Sequence, residues 1–343
     1  MLDLSPVAAG TTAGQALRHT TTLARRAEEL GYQRFWVAEH HNMPAIASSA
    51  PAVLIAHLAA STSTIRVGSG GVMLPNHAPL VVAEQFGTLE ALHPGRIDLG
   101  IGRAPGTDQL TALALRRTME GLSAEAFPQE LADLIGLLRG AVFTGGGLLG
   151  GEEGARPSIT ATPGQGDMPA IWLLGSSGYS AQLAGLLGLP FSFAHHFSAV
   201  NTVPALALYR QYFRPSEWLP RPYAMVAVSA ICADTDERAQ WLSGPAALSF
   251  LRLRAGMPQP LASPEEAAAY PYSEREREFT QDRFTGQAVG SPETVRQRLA
   301  SLLEQTQADE LMLTTMVYDI GDRMHSFELI ADKVAGSLAR PGP

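Results

Sequence analysis

The sequence predicts an α/β chain, a (β/α)8 TIM barrel with insertions after strands 4 and 7. Two observations carry that prediction. Short apolar segments of strand length alternate with amphipathic segments of helix length, the rhythm of parallel strands joined by crossover helices. Eight such pairs follow one another within 343 residues, a length that one barrel with insertions absorbs. A doubly wound open sheet is the competing arrangement.

The elements are expected in this order. Strand 1 is Leu2–Leu4. Helix 1 runs over Ala13–Leu30, where Leu17, Leu23, Ala24, Ala27 and Leu30 recur near helical spacing and Gly31 ends the pattern. Strand 2 is Arg34–Ala38. Helix 2 begins near Ser49, with Pro51 in its first turn, where a missing N–H costs nothing. Strand 3 is Ile65–Gly71 and helix 3 is Ala78–Leu92. Strand 4 is Arg96–Ile101, with helix 4 near Pro128–Leu138. Strand 5 (Ala170–Leu174) leads to helix 5 from Ser177 to Leu187, and strand 6 (Pro190–Ala194) to helix 6 at Ala199–Phe213. Strand 7 is Ala224–Cys232 with helix 7 from Thr235. Strand 8 is Glu310–Thr315 and helix 8 is Ile320–Ala339.

Residues 1–343 are read as one barrel domain, with insertions near 104–129, 144–169 and 258–291. The second insertion contains Gly145–Gly147. The third carries the alternating run Glu274-Arg-Glu-Arg-Glu278, expected as a solvated helix. Long connections in a compact domain are often functional lids, so pocket selectivity is expected from the two long insertions at 104–129 and 258–291.

Composition narrows the function. Hydrophobic residues make up 45% and charged residues 17%, enough apolar material for a large core. The net charge of −8, without a basic run, argues against nucleic acid and membrane-surface partners. The apolar stretches fall short of the roughly 20 residues of a membrane span. The start, Met1-Leu-Asp-Leu-Ser-Pro6, has no signal-peptide pattern, so a cytoplasmic location is expected. Cys232 is the single cysteine, which excludes an intramolecular disulfide and a Cys-rich zinc site. Lys333 is the single lysine and lies in a late amphipathic segment, which argues against Schiff-base and P-loop chemistry.

Barrel enzymes carry their chemistry at the C-terminal ends of the strands. There the sequence places Glu39-His40-His41-Asn42 after strand 2, Pro75-Asn-His77 after strand 3, Arg103 after strand 4, Gly175-Ser-Ser-Gly-Tyr179 after strand 5, and His195-His196 after strand 6. The Gly-Ser-Ser-Gly turn opens a helix. It offers backbone N–H groups, hydroxyls and the positive end of a helix dipole, a combination that suits phosphate. Arg103 can add a charge-assisted fork, and an N-cap with a rim salt bridge is the plainer alternative. The glycines of Gly68-Ser-Gly-Gly71 either let a flat ligand lie on the backbone or serve tight barrel packing. Histidine serves as a base near neutral pH, so Glu39, His40 and His41 are the candidate catalytic group. On an extended strand the two adjacent histidines would face opposite ways. Gly100-Ile-Gly102-Arg-Ala-Pro105 lacks the third glycine of a dinucleotide fingerprint, so no tight NAD site is expected.

Taken together, Phe35-Trp-Val-Ala-Glu-His-His41, Val67-Gly-Ser-Gly-Gly-Val-Met-Leu-Pro75, Ala83-Glu-Gln85, Pro94-Gly-Arg-Ile-Asp-Leu-Gly-Ile-Gly-Arg103 and Leu174-Gly-Ser-Ser-Gly-Tyr-Ser180 resemble the bacterial-luciferase-like flavin monooxygenases. The likeness spans most of Met1–Ala199 and returns at Glu310–Ala339, and it is greatest to luciferase-like oxidoreductases that do not emit light. It implies a dimeric barrel that takes FMN, or in some branches F420, at the strand C-termini. It also implies a separate NAD(P)H:flavin reductase, and a reaction of reduced flavin with O2 that oxygenates a small organic substrate. By the same resemblance Arg103, Ser176, Ser177 and Tyr179 correspond to phosphate contacts. Gly70–Gly71 corresponds to a non-prolyl cis peptide at the flavin ring, and His40 to a catalytic base. Gly102 stands where luciferase has a reactive cysteine, which sets aldehyde oxidation and light emission apart from this chain. The alternatives are an F420-dependent dehydrogenase, a non-enzymatic flavin-binding protein and a metal-dependent barrel hydrolase.

Overall fold

Strand pairing sets the architecture. The computed structural model describes residues 1–104, 108–116, 124–140 and 159–338. Its strands are β1 (Leu2–Asp3), β2 (Arg34–Val37), β3 (Arg66–Met73), β4 (Ile97–Gly102), β5 (Ala170–Gly175), β6 (Phe191–Ala194), β7 (Ala224–Cys232), β8 (Ala288–Gly290) and β9 (Glu310–Thr314). They pair in the order β6-β5-β4-β3-β2-β1-β9-β7, and β6 also pairs with β7, giving a closed eight-stranded parallel barrel. The helices are α1 (Ala13–Glu29), α2 (Pro51–Ser61), α3 (Pro79–Leu92), α4 (Gln109–Arg116), α5 (Phe127–Leu138), α6 (Gly178–Leu187), α7 (Thr202–Tyr212), α8 (Asp236–Arg254), α9 (Pro264–Ala269), α10 (Glu274–Phe284), α11 (Pro292–Thr306), α12 (Ile320–Ile330) and α13 (Gly336–Leu338). Among the described residues no helix is long and apolar enough to cross a membrane.

Local chemistry explains the boundaries. Thr12 and Gln15 form a reciprocal capping box at the start of α1, so two N–H groups that the helix leaves unpaired find acceptors. Gly31 ends the helix at φ +78°, a conformation that costs glycine little. Thr235 and Ser263 cap α8 and α9 in the same manner, each accepting from a backbone N–H three residues on.

The structure departs from the expected elements at α4, which lies in the first insertion, at α11, which no expected helix covers, and in the two further places that follow. The insertion at 258–291 holds more regular structure than the one helix expected of it. It folds as α9, α10 and a further strand, β8, which pairs in parallel with the end of β7 and lies outside the barrel order. The last barrel strand is therefore the ninth strand in the chain. The expected helix 8 is helical throughout residues 320–338 but contains a π-helical turn, Ala331–Ala335, between α12 and α13. The charged run does form a helix, α10. In the other insertions, residues 105–107, 117–123 and 141–158, including Gly145–Gly147, lie outside the described residues.

The chain divides into two compact units, one of Met1–Phe35, Met43–Ser48 and Leu173–Pro343, the other of Trp36–Asn42 and Ser49–Trp172. In the first, Asp3 on β1 is buried and meets the buried Arg323 of α12 at 3.2 Å, while its other oxygen accepts from Thr20 of α1 at 2.6 Å. An ion pair and a hydroxyl thus join the first strand to the first and last long helices. In the second, the buried carboxylate of Asp98 on β4 accepts from Arg66 of β3 at 2.6 Å and from the indole N–H of Trp36 at 2.9 Å. Trp36 packs edge-on against Trp172 at 5.4 Å.

That packing accounts for one of the strand-3 glycines. A Cβ on Gly68 would lie 2.5 Å from both Cβ and the backbone oxygen of Asp98, and 2.9 Å from Trp36. Gly68 therefore belongs to the packed interior. Gly68→Ala must push two strands apart and should cost about 1–3 kcal/mol, as overpacked cores do. Urea denaturation measures this, and an unchanged midpoint would contradict the packing.

Candidate active site

Strand β2 stops at Val37, so the following residues are free of the alternation a strand would impose. Glu39 turns inward and is fully buried. Burial of a carboxylate is costly unless every lone pair finds a donor. Here the donors come from the segment that ends β3. Oε2 accepts from the Met73 amide at 2.9 Å, Oε1 accepts from Asn76 Nδ2 at 3.0 Å, and His77 Nε2 lies 3.0 Å from both oxygens. His41 Nε2 reaches back to Oε1 at 2.9 Å. Because a carboxylate only accepts, each imidazole carries a hydrogen on Nε2. Burial pushes the Glu39 carboxyl up, but the hydrogen bond and charge of His77, then Asn76 and His41, outweigh it and hold the group below its ordinary value. Glu39 is therefore an ionised anchor.

His40 differs from its neighbour. It is half-buried, and its Nδ1 has no hydrogen-bond partner. Burial, opposed by Glu39 and assisted by His41, lowers its pKa to about 4. The ring is neutral at physiological pH and able to accept a proton. The expectation that His40 and His41 alternate across a strand fails because the strand has already ended. Instead Asn42 adopts a left-handed backbone, φ +55°, and its side-chain amide donates to Asp108 at 3.0 Å, ahead of α4.

The peptide between Gly70 and Gly71 is cis. The β3–β4 register shifts between Gly70 and Val72, which leaves Gly71 as the extra residue. Gly102, the last residue of β4, has an equally local cause. A Cβ there would lie 2.8–2.9 Å from the thioether end of Met73, so that side chain fills the space a larger residue would need. Arg103 follows β4 directly and is half-buried.

In the other unit, Ser176 and Ser177 are exposed between β5 and α6. Ser177 is the N-cap of α6 but its hydroxyl makes no capping bond, and α6 continues for 10 residues. Tyr179 lies in the first turn, 41% exposed. His195 is buried and spends both ring nitrogens on structure, Nδ1 toward Thr202 at 2.8 Å and Nε2–H toward the Gly286 carbonyl at 3.2 Å. Desolvation lowers its pKa. His196 donates from Nδ1 to the Ala227 carbonyl at 3.0 Å.

Sequence reasoning did not assign Asn76 and His77 to the site. The available signal was their place one turn beyond β3, at the same end of the strands as Glu39. Among the described residues no three His, Cys, Asp or Glu side chains are grouped to hold a metal ion. In the Glu39 cluster both imidazoles spend Nε2 on the carboxylate.

These features define a barrel whose strand ends carry a buried anionic anchor and a neutral imidazole. Comparison with known proteins then identifies the family. The luciferase-like monooxygenase profile matches residues 1–310. A luciferase-like monooxygenase of Escherichia coli (strain K12) is 46% identical over 332 residues, covering 97% of this chain and 95% of that one. The crystal structure of apo-MsnO8 superimposes with a TM-score of 0.86 at 39% identity, covering 99% and 98% of the two chains. An FMN complex shares the fold at 22% identity and a TM-score of 0.72, covering 99% and 98%: the oxygenating constituent of 3,6-diketocamphane monooxygenase, from the CAM plasmid of Pseudomonas putida. The chain belongs to the luciferase-like monooxygenase family.

The low pKa of His40 carries a stability consequence. The unfolded ring takes up its proton near 6.5, the folded ring only near 4. The stability contributed by the neutral ring is therefore present above pH 6.5 and is lost as pH falls toward 4. Between pH 7 and pH 5 the wild type should lose about 2 kcal/mol more than His40→Asn, at about 1.4 kcal/mol per pKa unit. Urea titrations at the two pH values test this, and equal losses would place the ring in water.

Proposed function

We propose that the protein is a flavin-dependent monooxygenase that uses reduced FMN and O2 to oxygenate a small organic substrate. The observation that supports this best is His40, a neutral ring with an unpartnered buried nitrogen at a strand end, in a chain of this family. Bound reduced flavin would supply the electrons that activate O2. The residues of the second unit fit such a group: a half-buried Arg103 follows β4, and two consecutive glycines sit at the β3 bulge.

In this reading the protein's own side chains bind, orient and move a proton. Glu39 is a positioning residue that fixes His41, His77 and the backbone at Met73. His40 Nδ1 takes or returns a proton at the substrate. Arg103 is one phosphate contact, and the Ser176–Ser177–Tyr179 turn is another, each assigned on its own strand end. A homodimer, a cytoplasmic location and a separate NAD(P)H:flavin reductase belong to the same proposal.

His40→Ala should lower turnover about 10²–10⁴-fold, the usual contribution of a proton-transfer group, while reduced-FMN affinity holds. The measurement is reductase-coupled O2 consumption with a substrate panel, beside an anaerobic flavin titration. Unchanged turnover removes His40 from the reaction. Binding of F420 in place of FMN would favour an F420-dependent dehydrogenase, and flavin binding without O2 consumption a non-enzymatic flavin carrier.

Arg103→Ala and Ser176→Ala should each weaken reduced FMN about 10- to 150-fold, since a hydrogen bond to a charged group contributes about 1.5–3 kcal/mol. Riboflavin lacks the phosphate and should bind each variant as it binds wild type. Equal loss of both ligands would show that the altered residue does not contact phosphate.

A further inference from the structure

We propose that a cavity of about 140 Å³ at the end of β9 is a binding subsite for a neutral organic group, about the size of a benzene ring, carrying one oxygen that accepts a hydrogen bond. The proposal rests on the oxygenase reading above and names the buried end of the substrate.

The first support is position. The cavity lies wholly within the unit that contains β1, β6, β7 and β9. Its walls come from the C-terminal ends of those strands and the residues just after them: Leu4, His196, Ser229, Ile231, Thr314 and Thr315. That is the end at which barrel enzymes place their sites.

The second support is a pair of missing partners. Thr314 and Thr315 are 5% and 2% exposed, and both line the cavity. The hydroxyl oxygen of each makes no hydrogen bond. Buried hydroxyls are nearly always paired, because one left unpaired forfeits its hydration. Two adjacent hydroxyls, each with a hydrogen to donate, call for an acceptor that enters from outside the chain.

The third support is the lining. No Asp, Glu, Lys or Arg is among the described lining residues, so a charged group would lose its water without compensation. Cavities of about 150 Å³ admit benzene, which fixes the size of the group. The far wall is firm: Phe250 of α8 lines the cavity and stacks on Phe279 of α10 at 5.4 Å and 13°. Gln287, just before β8, is buried and completes that side.

The test titrates the whole flavin-free protein with acetophenone, toluene and benzoate by ligand-observed NMR. Reduced FMN is titrated alone and then in competition with acetophenone. Acetophenone should bind, toluene more weakly, and benzoate at least tenfold more weakly than acetophenone. Thr314→Val and Thr315→Val keep shape and remove a hydroxyl. Together they should weaken acetophenone about 3- to 10-fold and leave toluene within twofold, with thermal melting unchanged or raised. Ala246→Phe, which fills the cavity from α8, should abolish both. Benzoate binding as tightly as acetophenone, or a double valine variant that binds acetophenone normally, overturns the proposal. So does FMN displacing acetophenone, which would assign the cavity to the flavin. A protein that takes acetophenone but no reduced FMN keeps this subsite and loses the flavin reading. One that takes FMN but no acetophenone loses this subsite alone.

Discussion

A carboxylate removed from water is the constraint on which the strand ends of the second unit depend. Glu39 has no exposed surface, and the cost of stripping its hydration is met by donors from both chain segments beside it. Those donors cannot be rearranged one at a time. If the Met73 amide, Asn76 or His77 moves, a buried charge loses part of its support. The turn after β3 and the loop after β2 are thereby held in one geometry. His40 is fixed within it although no hydrogen bond holds its own Nδ1.

The first unit shows the opposite economy. Its buried ion pair, Asp3 with Arg323, fastens β1 to α12, while the cavity at the end of β9 keeps two hydroxyls without partners. The open hydroxyls of Thr314 and Thr315 face that cavity, a condition native proteins tolerate chiefly where a ligand completes the set.

The barrel was legible because its signal is periodic. Each barrel strand and most of the long helices are bounded by a rule that acts over a few residues: an apolar run, a capping hydroxyl, an early proline or a glycine stop; α4 and α11 form where no helix was expected. Ser177 and Thr235 announce α6 and α8, and Gly31 ends α1. The short strand β8 escaped notice because three residues carry too little pattern, and its pairing with β7 is a tertiary fact. The π-helical turn after α12 has no marker in the sequence. At the site, Glu39, His40 and His41 were visible as a cluster. Their separate duties were not, since these depend on where β2 stops and on donors 34–38 residues away. Met73 beneath Gly102 is of the same kind: a side chain and a missing side chain that make sense only when the strands are side by side.

The stacked pair Phe250–Phe279 has a consequence for how such an enzyme diversifies. One ring belongs to a barrel helix, the other to a segment threaded between β7 and β9 that contributes no strand to the closed sheet. Changes at Phe279 or Gln287 act on the chamber beside Phe250 without touching a barrel ladder, so under the subsite proposal one wall of that chamber can be varied apart from the strands that close the barrel.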